Sequence, residues 1–184
     1  MVIGKSNIIE RPLVNRDNII LPPLHIKLGC MKQYVKALDV SGRCYKYIRS
    51  KFAYLSDAKV EGGIFTGPEI RTIIKDKEFV KKVTKNERDG WESFMSVCNN
   101  FLGNHKDPNY KKIVDKMLKD FKKLGANMSI KLHYLHSHIE KFPENLGDFS
   151  EEQGERAHQD LKTMEHRYQG RWDVHMMADY VWSL

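Results

Sequence analysis

The sequence predicts a mainly α protein, a multi-helix domain with one or two short strands near the N-terminus. Three observations carry this. Apolar residues recur at spacings of three and four through most of the chain, helix stop signals such as Gly125 and Pro143 punctuate those runs, and the first residues mix β-branched pairs with three prolines. With 184 residues, 41% hydrophobic and 30% charged, the chain suits one domain with a proper core rather than two large ones.

Taken in order, residues 1–23 read as an extended arm, most of it within the stretch SNIIERPLVNRDNIILPPLH. Its short strand is expected at Asn18 to Leu21, ended by Pro22 and Pro23. Leu24, Leu28, Met31, Val35 and Leu38 then form a stripe on one amphipathic helix, with Lys27, Lys32 and Lys36 on its other face. A second helix is expected from Ser41 to Phe52, and Ser56 caps a short one that Gly62 and Gly63 end. Pro68 sits in the first turn of the next helix, where its missing N–H costs nothing. A helical pattern continues over Asp76 to Lys85, and Trp91, Phe94, Met95, Cys98 and Leu102 mark a stronger one from Glu87 to Leu102.

The clearest helix starts at Asp107 and Pro108 and is stopped by Gly125. It turns Tyr110, Ile113, Val114, Met117, Phe121 and Leu124 inward, and Lys111, Lys112, Lys116, Lys119, Lys122 and Lys123 outward. A further helix runs from Met128 to Lys141. Ser150 with Gln153 matches a capping box opening a helix to Tyr168, and a last helix spans Asp173 to Trp182. Trp91, Trp172 and Trp182 read as core or half-buried anchors.

Composition narrows the function classes. The formal charge of +7 favours anionic partners, nucleic acid first. No run approaches roughly 18 uncharged apolar residues, so no membrane-spanning helix is expected. The three cysteines, Cys30, Cys44 and Cys98, lack CxxC pairing, which points away from a disulfide framework or a thiolate zinc site. The first residues lack a signal peptide's apolar run, so an intracellular place, nucleus or cytoplasm, is expected.

Three constellations carry chemistry. The first is His133, His136, His138, His158 and His166, in which His133 and His136 share a helix face, as do Glu155 and His158. Two facing helices of this kind would offer zinc a set such as His133, His136, His158 and Glu155, although the spacing is not that of the HExxH proteins. The bland alternative is a polar cluster tied by hydrogen bonds. The second is acidic, with Glu151, Glu152, Glu155 and Asp160 in one helix. Glu151 and Glu152 suit the helix dipole, whereas Glu155 lies with His158 and Lys162 on a polar face. The third is basic: Lys111, Lys112, Lys116, Lys119, Arg156 and Lys162 are the candidate nucleic-acid contacts. Its alternative is a lysine face that only keeps a helical protein in solution.

The blocks ILPPLHIKLGCMKQYVKAL, KLHYLHSHIEKFPENLG, SEEQGERAHQDLKTMEHRYQGRW and MMADYVWSL resemble a transposon-derived family of invertebrate proteins of uncharacterised activity, over essentially the whole chain. Their order is similar to the C-terminal half of RNase H-like DDE/D transposases. That resemblance implies a partial RNase H-like fold with a helical insertion. Within one helical domain over 24–184, residues 24–127 would be the insertion and 128–184 the C-terminal helices with the His/Glu block. It also implies two magnesium or manganese ions held by three carboxylates, the last of them matching Glu155 with His158 beside it.

The chain departs from that pattern at a decisive place. The Asp expected three residues before His25 is Pro22, and only a short arm precedes it to carry the first Asp. The expectation is therefore a catalytically inactive, transposase-like fragment that retains nucleic-acid binding. No cofactor is expected, magnesium or manganese would enter only with a surviving catalytic site, and zinc is a minor alternative. A partner chain would have to supply the missing half. The competing expectation is a basic helical DNA- or RNA-binding module, or a zinc-stabilised helical scaffold.

Overall fold

A computed structural model describes residues 13–14, 20–150, 152–168 and 173–182. It is mainly helical, as expected, and no strand occurs among the described residues. The predicted strand at Asn18 to Leu21 falls partly outside the described residues. Its last two positions, Ile20 and Leu21, are non-strand residues packed against the core. The two prolines that follow explain why a helix begins there instead: Pro22 is the cap and Pro23 the first residue of α1 (Pro23–Lys36). His25 accordingly lies in the first turn of a helix, not at the end of a strand.

The chain separates into two compact units, residues 1–149 and 150–184. In the first, α1 is the central helix. It buries Leu24, Ile26, Cys30, Met31, Tyr34 and Val35, while Leu28 is only partly buried. The apolar surface is thus wider than the stripe expected, because the helices Gly67–Ile74, Lys85–Asn100 and Ile130–Ser137 pack around α1 together with the short helix Asp57–Glu61. Tyr34 satisfies its hydroxyl inside this core by donating to the Glu87 carbonyl, 3.0 Å away.

Around α1 run α2 (Arg43–Lys51), α3 (Asp57–Glu61), α4 (Gly67–Ile74), α5 (Lys85–Asn100), α6 (Tyr110–Leu124) and α7 (Ile130–Ser137). Two capping boxes start α4 and α5. Glu69 accepts from the Thr66 N–H at 2.7 Å, and Glu87 accepts from the Thr84 N–H at 2.6 Å. Both glutamates are buried, and Glu69 also takes the Tyr54 hydroxyl at 2.9 Å.

Between these helices the pattern expected to be helical over Asp76 to Lys85 is only a 3-10 turn at Phe79–Lys81. Asp76 takes the chain out of α4. Its carboxylate accepts from the Tyr47 hydroxyl at 2.7 Å, the Lys51 ammonium at 2.5 Å and the Glu78 N–H at 2.9 Å. Burial pushes this carboxyl up, but Lys51, Tyr47 and the Glu78 N–H outweigh it and hold the pKa at about 2, below the ordinary 3.8. A depressed folded pKa contributes stability that is complete above the unfolded value and is lost as the pH falls. Asp76→Ala is therefore expected to cost about 2 kcal/mol at neutral pH. The gap from wild type should close between pH 3.8 and about 2, which denaturation at several pH values measures. A gap that is unchanged at pH 2 would contradict this role.

The loop after α5 leads to α6, the helix with which α5 makes the most extensive pair. Asp107 accepts from the Asn109 N–H at 2.7 Å before the helix opens at Tyr110, and Gly125 ends it at φ +90. Ser129 caps α7 by accepting from the Leu132 N–H at 3.3 Å. The helix expected to run from Met128 to Lys141 ends at Ser137, and a 3-10 turn at Ile139–Lys141 completes it. Because α7 packs on α1 and α6, residues 128–149 lie in the first unit, whereas the sequence grouped 128–184 together.

The second unit holds α8 (Glu152–Tyr168) and α9 (Val174–Trp182). The cap expected from Ser150 and Gln153 falls outside the described residues, since the Gln153 side chain is among those not described. Trp182 is 88% exposed rather than an anchor, and Trp172 lies outside the described residues. No described helix is long and apolar enough to cross a membrane.

Candidate nucleic-acid interface

With 100° of turn per residue, the six lysines of α6 fall within an arc of about 140°, opposite the residues that face the core. Val114, Met117 and Phe121 are buried on the inner side, while Tyr110, Ile113 and Leu124 pack partly against the core. Lys112, Lys116, Lys119 and Lys123 stand at i, i+4, i+7 and i+11, a straight stripe of about 16 Å at 1.5 Å per residue. They line a groove of about 430 Å³ with Asp89 of α5 and with Asp115 and Asp120 of α6.

The ion pairs divide this stripe. Asp120 is 4% exposed and accepts from Lys116 at 2.6 Å and from Lys123 at 3.2 Å. Burial raises its carboxyl, and the two ammonium groups more than offset that, leaving it below the ordinary carboxylate value. Lys111 pairs with Glu140, which also takes the Tyr110 hydroxyl at 3.3 Å. Of the lysines predicted on α6, Lys111, Lys116 and Lys123 are thus already partnered, whereas Lys112 and Lys119 are exposed and make no ion pair among the described residues. The sequence shows Asp115 and Asp120 interleaved with these lysines, but not that Asp120 is buried between two of them. Its position four residues after Lys116 and three before Lys123 was the available signal.

The histidines are arranged as local surface contacts. His133 Nδ1 is 3.3 Å from the Ser137 hydroxyl, His136 Nε2 is 3.3 Å from Asp115, and the His133 and His138 rings meet edge to face. His133 and His136 are both exposed. His158 and Lys162 are exposed on α8, where Glu155 and His158 are one turn apart. The side chains of Glu155 and Arg156 lie outside the described residues. The zinc set proposed from sequence is distributed over two units, with His133 and His136 in the first and Glu155 and His158 in the second. Among the described residues no group of three or more His, Cys, Asp or Glu side chains is placed to hold a metal ion. The cysteines are buried free thiols, and burial pushes Cys44 and Cys98 up to about 12 and Cys30 further, so none is a thiolate nucleophile at neutral pH.

Residues 23–103 match the profile of a domain of unknown function, DUF8704. The match runs from the first residue of α1 to just past α5, so the lysine stripe of α6 lies beyond it. No curated protein and no solved structure matches the chain.

Proposed function

We propose that the chain is a non-enzymatic, transposase-derived helical module that holds a nucleic-acid backbone against the outer face of α6. The observation that carries this reading is the stripe itself. Lys112 and Lys119 are exposed and, among the described residues, without an ion pair, between and beside Lys116 and Lys123, which Asp120 fixes in place. Phosphates need no more than such a row of cations, and a row of this kind gives affinity without sequence readout.

The derivation from a transposase rests on the order of the sequence blocks. The loss of activity rests on Pro22, which occupies the expected carboxylate position and serves to start α1. Should Glu155 still serve magnesium or manganese, the other carboxylates would come from a partner chain.

The test is binding of a duplex oligonucleotide between 50 and 200 mM salt. Two to four phosphate contacts give a slope of log affinity against log salt of about −2 to −4. Absent binding at the lowest salt, or affinity indifferent to salt, refutes the phosphate mode. Metal-dependent cleavage of the same DNA that Glu155→Gln abolishes refutes the inactive assignment.

A further inference from the structure

A second groove of about 340 Å³ lies between α1, the loop from α3 to α4 and the start of α7. Its apolar lining is Leu28, Ile64, Phe65 and Ile130, and its polar lining includes Lys32 and Lys131. Ile64 is 54% exposed and Ile130 79% exposed, two large apolar side chains open to water on one concavity. The backbone builds this shape tightly. A Cβ on Gly29 would stand 2.5 Å from the Lys131 stem, and one on Gly63, at φ +62, would stand 2.7 Å from the Lys32 carbonyl oxygen.

We propose that this groove docks an acidic, apolar peptide segment of a partner protein. One aliphatic or aromatic side chain enters between Ile64 and Ile130, and flanking carboxylates meet Lys32 and Lys131. The volume suits one or two side chains. Charge complementarity identifies the partner, because Lys32 and Lys131 are the charged residues of the lining and no carboxylate is among the described residues that line the groove. A second copy fits poorly, since a chain of net charge +7 would bring like charges onto two lysines. A hydrocarbon tail would leave unused the Gln33 amide and the Ser129 hydroxyl, which also line the groove and can bond a peptide backbone.

The experiment follows the isoleucine methyl signals of the full chain by NMR while acetyl-Glu-Glu-Leu-Phe-Glu-Glu-amide is added. Saturable shifts at Ile64 and Ile130 are expected, with binding about tenfold weaker for the same peptide carrying lysines in place of the glutamates. The double variant Lys32→Glu, Lys131→Glu should reverse that preference. Lys32→Glu alone, at an exposed side chain, keeps the test if the double variant does not fold. The proposal falls if neither methyl moves at millimolar peptide or both peptides bind alike. It falls equally if the methyls shift on protein concentration alone, which marks a second copy, or with anionic vesicles but not peptide, which marks a lipid surface.

Discussion

Replacing Trp91 by alanine is expected to cost the first unit about 3 to 5 kcal/mol, enough to leave a marginally stable domain largely unfolded on mild heating. Trp91 is 3% exposed on the inner face of α5. Its ring lies 4.7 Å from Phe79, 5.4 Å from Tyr34 and 5.6 Å from Phe94 between centroids. One side chain thus joins α1, the 3-10 turn and α5, and truncating it opens a cavity those three elements cannot close without moving. Trp182→Ala is the control. At 88% exposure it should change stability by no more than about 0.5 kcal/mol. Chemical denaturation followed by circular dichroism compares the two, and a Trp91→Ala cost below about 1 kcal/mol would contradict this packing.

Why Trp91 and Trp182 differ so much was not legible in the sequence. Both sit in helical, aromatic-containing runs, and periodicity assigns a face without saying what covers it. The same limit explains α1, whose charged positions suggested a one-sided helix although four neighbouring elements surround it. Gly125 and the apolar spacing of α6 were legible because a glycine at positive φ and a 3.6-residue repeat are local physics. The Thr-x-x-Glu pairs at Thr66 and Thr84 are local signals of the same kind. Reading the box at Thr84 would have ended the run over Asp76 to Lys85 before α5.

The candidate interface was half legible. Six outward lysines follow from spacing, but their partners come from other turns and other helices. Asp120 is buried at the edge of the stripe, and Glu140 reaches Lys111 from beyond α7. The pairs of Asp120 are local and follow from spacing, but its burial and the reach of Glu140 to Lys111 are tertiary, and together they decide which cations remain to meet a phosphate.

That division makes the sharper functional test. Reversing Lys112 and Lys119 together to glutamate is expected to weaken duplex binding at low salt by about 100-fold or more. It should also flatten the salt dependence by about 1.8 in slope, since two phosphate contacts are lost. Each substitution acts at an exposed helical position, so folding should be nearly untouched. Net charge alone would also lower affinity, and a second pair separates the two effects. Lys77→Glu with Lys82→Glu makes the same change of charge beside the 3-10 turn, at exposed positions away from the α6 groove. A stripe that binds phosphates directly predicts a large loss for the first pair and a loss of severalfold for the second, because only the first pair removes phosphate contacts while the second acts through long-range attraction alone. Equal losses would show that the protein attracts nucleic acid by its overall charge, and α6 would then be a solvated face like any other.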